Sequence, residues 1–420
     1  MNLCTWWRGS DVWPSGLKGI QQVLINPELT AKCPAGRTAL LQLGFRPFFL
    51  LAGLSACLPL LYWSHVYASG VETLAYPPAT WHGHEMVFGY VVAVVAGFLL
   101  TAVINWTGRQ TLNGIALMSL SLLWIAGRIV PVVDADIPLW CVSLVDFAFV
   151  PLLAVALAVP IVKAGNHRNL IFIVILAVYT AANGIFHLGV NGLLVDGVRL
   201  GIFAGLFTVL LLISVMGGRV IPFFIQRGLG GRITARKWKG IEVLTTISLL
   251  ALAGFYLLGA DARVSAVTAL VTAAVHAIRL AGWYQKGVWS VPLLWVLVTA
   301  YGWIVIGLIM MGLALAGFLA EMLAIHAMTA GGIGLITAGM MVRVSMGHSG
   351  RSLHAPDSLV LAFMLLNIAA ITRVFVPLAW PALYQDTVIV SAWLWAIAFA
   401  IFVIRMAPVY WLPRVDGRPG

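Results

Sequence analysis

Charged residues are scarce in this chain. Asp, Glu, Lys and Arg together make up 9% of its 420 residues, whereas 61% of the residues are hydrophobic. A soluble globular domain usually carries about 25% charged residues, so this composition excludes a soluble globule. The few charged residues give a formal net charge of +11. The positions of the basic residues along the chain indicate whether this charge reflects membrane topology or a nucleic-acid partner.

Cysteines and long polar stretches are also few. The four cysteines, Cys4, Cys33, Cys57 and Cys141, show no CxxC spacing, so the sequence indicates neither a disulfide framework nor a zinc site. No connection between the apolar stretches is long enough to form a separate domain, which takes about 50 residues. Any chemistry must therefore take place within the apolar part of the chain or at its rims.

The apolar residues occur in long blocks. Each block has about 20 residues, the length that an α-helix needs to cross a hydrocarbon core about 30 Å thick. These blocks predict an all-α, polytopic membrane bundle of about twelve helices in contact with the lipid bilayer. The predicted spans are 45–68, 82–104, 112–131, 138–162, 169–191, 198–222, 240–260, 262–285, 291–316, 320–342, 357–378 and 385–406.

Basic residues alternate between the connections. Short cytoplasmic loops of membrane proteins are enriched in Lys and Arg, which predicts that both termini are cytoplasmic. The expected location is a bacterial-type inner membrane. The predicted parts are a cytoplasmic or interfacial segment 1–44, a transmembrane domain 45–406 and a cytoplasmic tail 407–420. This asymmetry accounts for the net positive charge, so a nucleic-acid partner is not indicated. The basic connections carry Arg8, Lys18, Lys32, Arg37, Arg109, Lys163, Arg168, Arg227, Arg232, Arg236, Lys237, Lys239, Lys286, Arg343, Arg351, Arg414 and Arg418.

Histidines are the unusual feature of the predicted helices. Ionisable side chains in hydrocarbon are costly, at least about 2.5 kcal/mol for the fully charged ones, and are rarely present without a function. A rise of about 1.5 Å per residue places most of these histidines in the outer third of the membrane and His276 about 21 Å from the outer end of the eighth helix. The histidines at the outer level are His65, His82, His84, His187 and His326.

The segment Trp81–Met86 contains two histidines and a carboxylate. On a regular helix His82 and His84 point about 200° apart, whereas His82 and Glu85 share a face as an i,i+3 pair. One histidine is therefore a candidate metal ligand, and the other either orients it or binds a second centre. The shared outer level of His82, His84, His187 and His326 suits one site assembled from three helices.

Other polar residues have more than one interpretation. Asn183 shares a face with His187 and suits a partner that orients its imidazole. Arg128 and Asp146 are expected to form an ion pair between adjacent helices, and the alternative is that they belong to a proton path. Arg279, one turn deeper than His276, could neutralise a haem propionate or reach the cytoplasmic interface. A single polar residue in such helices often serves only as an interhelical hydrogen-bonding group.

Several blocks together resemble the NnrS family. They run in order across nearly the whole chain, and as a set they are specific. They are Gly44–Phe49, Trp81–Tyr90, Gly97–Ala102, Gly218–Pro222, His276–Leu280 and Arg343–Arg351.

The resemblance implies a twelve-helix membrane protein that contains haem and copper and is associated with denitrification and relief of nitric-oxide stress. It brings no settled reaction, so whether the chain is an enzyme stays open. One position departs from the family, because many relatives have a histidine in the block 294–298 and residue 298 here is Val. The residues that match the family's histidines, and are the candidate ligands, are His82, His84, His187, His276, His326 and His348; Glu85 and Arg279 complete the candidate set.

Three functions fit these observations. The first is a haem-copper protein that binds or handles nitric oxide through its intramembrane histidines. The second is a proton- or metal-coupled secondary transporter that uses the same buried polar residues, although the sequence shows no internal repeat to support it. The third is a protein that senses or stores metal for a partner without turnover. The oligomeric state is left open.

Overall fold

The chain is helical throughout the part that a computed structural model describes, residues 38–70, 74–133, 136–231 and 235–418, and no strand occurs there. Twelve helices in this part are long and apolar enough to cross a membrane. The predicted all-α bundle of about twelve spans is therefore confirmed. The helices are α1 (Phe45–Ser69), α2 (Pro78–Thr107), α3 (Gly114–Val132), α4 (Leu139–Lys163), α5 (His167–Val190), α6 (Gly197–Gly228), α7 (Lys239–Leu257), α8 (Ala262–Trp283), α9 (Pro292–Leu315), α10 (Glu321–His348), α11 (Asp357–Ala379) and α12 (Pro381–Trp411).

Two helices continue well beyond the ends that hydropathy predicts. Helix α6 reaches Gly228 instead of residue 222, and α10 reaches His348 instead of residue 342. Both are followed by glycines with a left-handed backbone, Gly230 (φ 79°) and Gly350 (φ 73°), which favour helix termination. The segment 345–348, predicted as a cytoplasmic loop, is therefore the last turn of α10.

The first and last helices of the chain pack against each other. Helix α1 packs against α12, and the backbone N–H of Ala39 donates to the carbonyl of Trp411 at 2.9 Å. The buried guanidinium of Arg46 donates to the carbonyls of Val409 and Leu412 at 2.9 and 2.8 Å. These bonds satisfy carbonyl groups that the end of α12 leaves without an intrahelical partner. The predicted N-terminal segment lies mostly outside the described residues.

Helices α5 and α6 approach each other most closely where they carry glycine. A Cβ atom at Gly201 of α6 would lie 2.6 Å from the Cα of Phe186 in α5, and one at Gly197 would lie 2.6 Å from the Cα of Gly189. Small residues allow membrane helices to approach at backbone distance. This contact places Phe186 and the adjoining His187 at a defined position in the bundle interior.

Helices α2, α9 and α10 are the most enclosed of the spans, whereas α3 and α7 expose most of their surface to lipid. Because His82, His84 and His326 lie in the first turns of these two enclosed helices, α2 and α10, they lie inside the bundle and not on its lipid face. The interior position of α2 and α10 therefore defines where a site can form.

Candidate functional site

Two π-helical segments follow the histidines of α2 and α10. The first covers Glu85–Val91, directly after His84, and the second covers Ala327–Ile333, directly after His326. Single π-helical turns inside α-helices occur frequently at functional sites. The glycines of the second segment allow close packing, because a Cβ at Gly331 would collide with the ring of Trp303.

The π-helical turn changes which residues lie together in α2. The regular-helix geometry predicts that Glu85 shares a face with His82, but the structure places Glu85 beside His84, with 3.7 Å between Glu85 Oε1 and His84 Nδ1. The wider turn alters the angular spacing at this point. His82 and His84 face two different sites, so the four outer histidines form two groups and not one.

The first group is a cluster of buried polar residues between α2, α3, α4 and α5. We call it the acid–histidine cluster. It is centred on Asp146, whose Oδ2 lies 3.1 Å from His84 Nε2 and 2.8 Å from His187 Nε2. The cluster consists of His84, Glu85, Arg128, Asp146, Asn183 and His187.

Asn183 holds the centre of this cluster in place. Its Nδ2 donates to Asp146 Oδ2 at 3.0 Å, and its Oδ1 lies 3.3 Å from His84 Nε2. The predicted shared face of Asn183 and His187 is therefore observed, although Asn183 contacts Asp146 and His84 instead of His187. The ring of Phe186 stacks on His84 with centroids 4.4 Å apart, which limits the rotation of this imidazole.

Arg128 joins the two carboxylates of the cluster. Its Nη1 donates to Glu85 Oε1 at 3.0 Å and its Nη2 forms an ion pair with Asp146. The predicted pairing of Arg128 with Asp146 is observed, and Glu85 is an additional partner. Two carboxylates and one guanidinium leave a formal charge of −1 when both imidazoles are neutral. A buried net charge is costly, so a cation at this point would be stabilised.

The acid–histidine cluster fits a metal ion. Ligand atoms of His84, Asp146 and His187 all lie within 4.8 Å of one another, and among the described residues no other group of three His, Cys, Asp or Glu residues meets this criterion. Imidazole and carboxylate groups suit copper(II), zinc and iron. The buried Nδ1 of His84 has no hydrogen-bond partner, but Glu85 Oε1 lies 3.7 Å from it, and ligating histidines usually donate this second N–H to such a carboxylate.

The second group lines a cavity of about 280 Å³ between α1, α2, α6, α10, α11 and α12. Both π-helical segments contribute to its wall, which is almost entirely apolar. Its polar side chains include His82, His326 and Arg373. The volume lies near the lower end of the about 300–1,000 Å³ typical of ligand sites.

The two imidazoles of the cavity are held in different ways. His82 stacks on Trp63 of α1, with ring centroids 4.3 Å apart. His326 Nδ1 donates to the carbonyl of Met322 at 2.7 Å, so in the neutral ring the lone pair lies on Nε2. A histidine whose Nδ1–H is bound to a carbonyl is prepared to ligate a metal through Nε2. The cavity thus combines an apolar wall with imidazole groups that could ligate a metal-containing cofactor.

His276 and Arg279 lie in a third, separate place. Tyr301 Oη is 2.7 Å from His276 Nδ1, and the carbonyl of Thr245 is 3.3 Å from His276 Nε2. Arg279 forms a bidentate ion pair with Glu242, in which Nε lies 3.1 Å from Oε1. Both ring nitrogens and the guanidinium have protein partners, so the role of His276 and Arg279 as cofactor-binding residues stays a prediction.

His348 lies at the far end of α10 from His326. Twenty-two residues along a helix correspond to about 33 Å, so the two cannot bind one centre. Its ring is 6.0 Å from that of Phe45, and its carbonyl accepts from Arg414 at 2.7 Å. Its assignment as a metal ligand stays a prediction. Val298 is buried in α9.

Arg373 is the functional candidate that the sequence reasoning missed. It lies near the C-terminal end of α11 and is buried in the cavity wall. The signal for it in the sequence is a charged residue inside an apolar span.

A family model described as NnrS protein matches residues 39–414 of the chain. No curated protein matches the chain.

Proposed function

Since the chain belongs to the NnrS family, we propose that it is a haem- and copper-binding membrane protein that handles nitric oxide and relieves nitrosative stress. The observation that carries the proposal is that α2 presents two histidines, two residues apart, to two different buried sites. His82 faces an apolar cavity, and His84 faces a carboxylate and a second histidine. Two adjacent sites of different polarity suit two different cofactors.

The residues divide between the cofactors by the character of their surroundings. His82 and His326, in the apolar cavity, are the residues that would hold haem iron, and His84, His187 and Asp146 would hold copper. Haem iron supplies a binding position for a diatomic gas, and copper supplies a second redox-active ion. Trp63 orients the imidazole of His82, and Met322 orients that of His326.

The apolar wall also suits the proposed ligand. Nitric oxide is small and apolar enough to enter from the lipid, so no polar channel is required. The wall excludes water, which strengthens electrostatic interactions inside the site. Whether the chain turns nitric oxide over, binds it or senses it is left open by the proposal.

The proposed location is a bacterial-type inner membrane with both termini in the cytoplasm. The alternation of basic connections supports this orientation. On this orientation α2 and α10 begin at the outer side. The acid–histidine cluster and the cavity then both lie near the periplasmic surface.

The assignment of ligands is tested by cofactor content. The full-length protein is purified from cells supplied with haem and copper, and its reduced-minus-oxidised spectrum and metal content are measured. We expect His82→Ala and His326→Ala to lose haem but keep copper, and His84→Ala and His187→Ala to lose copper but keep haem. His65→Ala is the matched control, because His65 is exposed at the outer end of α1.

Two results would contradict the ligand assignment. Unchanged content in all four variants would show that the ligand set is wrong. Absence of both haem and copper from well-folded, cofactor-supplied wild type would end the haem-copper proposal. In that case proton- or metal-coupled uptake into proteoliposomes, lost in His82→Ala, would favour the transporter alternative.

We expect His276→Ala to leave the haem and copper contents unchanged. Both ring nitrogens of His276 already have partners in Tyr301 and Thr245, so neither is free for a metal. The measurement is the same content assay, together with thermal denaturation to detect the loss of the hydrogen bonds. Selective loss of one cofactor with an unchanged melting temperature would instead make His276 a ligand.

A further inference from the structure

We propose that Arg373 is the anion anchor of the cavity that His82 and His326 line, and that it binds a carboxylate carried by a flat apolar ligand, a porphyrin propionate. The inference rests on the proposed haem function and deepens it, because it names the residue that would hold the acidic edge of the cofactor. It concerns a different residue from Arg279, which the sequence had suggested for this role.

The first observation is that the charge of Arg373 is buried and incompletely bonded. The residue is 5% exposed. Its Nη2 donates to Tyr384 Oη at 3.1 Å, and its guanidinium lies 5.0 Å from the centre of the Tyr384 ring. Its Nη1 is buried and has no hydrogen-bond partner among the described residues. A buried donor without a partner costs about 1–3 kcal/mol, and more when it belongs to a charged group.

The second observation is that the cavity contains no counter-charge. No Asp or Glu is among the described residues that line the cavity, whereas Arg373 is. Arg373 lines the same cavity as His82 and His326, the two candidate iron ligands. An isolated charge in an apolar site requires a partner of opposite sign.

The third observation is the contrast with two other arginines inside the bundle, Arg128 and Arg279. Arg128 is paired with Glu85 and Asp146, and Arg279 is paired with Glu242. Their guanidinium groups are therefore engaged within the protein. Arg373 instead donates to the phenol of Tyr384, and its Nη1 has no hydrogen-bond partner among the described residues. A guanidinium is suited to a carboxylate because it can donate two parallel hydrogen bonds.

The position along the helix agrees with such a ligand. Arg373 is six residues from the end of α11, and His326 is five residues from the start of α10. Since consecutive spans run in opposite directions, both lie about 8–9 Å below the same surface of the bundle. His326 and Arg373 therefore lie at one level of the bundle and could hold the same ligand.

Metal-free protoporphyrin IX tests the anchor without involving iron ligation. The full-length protein is prepared from haem-limited cells and titrated in detergent with protoporphyrin IX and with its dimethyl ester, with porphyrin fluorescence as the readout. We expect Arg373→Gln to weaken binding of the free acid about 10- to 100-fold, the range of a charge-assisted hydrogen bond. Binding of the ester should be the same in wild type and variant.

The controls separate anchoring from folding. Arg263→Gln removes an exposed arginine at the start of α8 and should change neither titration. Arg373→Lys keeps the positive charge but loses the two parallel donors of the guanidinium, and should bind the free acid with intermediate affinity. Equal loss of acid and ester binding in Arg373→Gln would show a structural role, and an unchanged affinity for the acid would show that Arg373 does not bind it. Either result overturns the proposal.

Two further measurements identify the ligand and test the iron ligation separately from the anchor. Binding of palmitate that depends on Arg373, without binding of protoporphyrin IX, would assign the site to a lipid carboxylate and overturn the porphyrin assignment. His82→Ala should bind metal-free protoporphyrin IX like wild type but change the spectrum of bound haem. If the haem spectrum stays unchanged while Arg373→Gln still loses the free acid, the iron ligation fails and the anchor stands.

Discussion

Arg128→Met is expected to destabilise the protein by about 3–5 kcal/mol, the cost of breaking a buried ion pair from one side. Arg128 is paired with Glu85 and with Asp146, and both carboxylates are buried. Without the guanidinium, two negative charges remain together inside the bundle. The measurement is denaturation of the detergent-purified protein, with the folded yield as a second readout.

The cause of this destabilisation can be separated from the loss of a long side chain. Adding Glu85→Gln and Asp146→Asn to Arg128→Met removes the uncompensated charge and should recover most of the lost stability. Arg263→Met, which removes an exposed arginine, should change the stability by no more than about 0.5 kcal/mol. A triple variant as unstable as the single one would mean that Arg128 acts through packing and not through charge.

The second large effect is expected from adding one methyl group to Gly201. In Gly201→Ala the new Cβ would lie 2.6 Å from the Cα of Phe186. Backbone cannot move aside as a side chain can, so α5 and α6 must separate. Overpacking usually costs about 1–3 kcal/mol, and contact with backbone places this substitution at the upper end of that range.

The same substitution should reach the acid–histidine cluster. Phe186 stacks on His84, and the next residue along α5 is His187. Displacement of α5 therefore moves one ligand candidate and the ring that supports another. We expect Gly201→Ala to lower the metal content as well as the melting temperature.

Gly254→Ala is the matched control for this experiment. Gly254 is also a helix glycine, but a Cβ there meets no atom within 4 Å. Alanine in place of a helix glycine stabilises by about 0.5–1 kcal/mol when space is available. If Gly201→Ala and Gly254→Ala behave alike in stability and metal content, α5 and α6 do not meet at the glycines as described.

Helix α2 contributes a histidine to each of the two candidate sites. His82 and His84 are two residues apart, so their imidazoles point to different sides of one helix, and the π-helical turn that follows brings Glu85 to the side of His84. Any change in the geometry of this turn alters both sites at once. Coupling between the two proposed centres would therefore run through a few residues of a single helix.

The sequence by itself determined the class of protein and the approximate position of every span. Scarcity of charge excluded a soluble globule, and blocks of about 20 apolar residues identified the twelve helices because the thickness of the bilayer sets their length. Depth could also be read from sequence, since helical rise is constant. This is why His82, His84, His187 and His326 were expected at one level.

Only the tertiary structure decided how these residues group. Depth gives one coordinate, whereas contact between helices depends on rotation about the helix axis and on which helices are neighbours. In the assembled bundle His82 faces the cavity and His84 faces Asp146, and Glu85, where the π-helical segment of α2 begins, lies beside His84. Packing likewise enclosed Arg279 with Glu242 and left Arg373 unpaired beside the cavity, because partners distant in sequence meet only when the helices assemble.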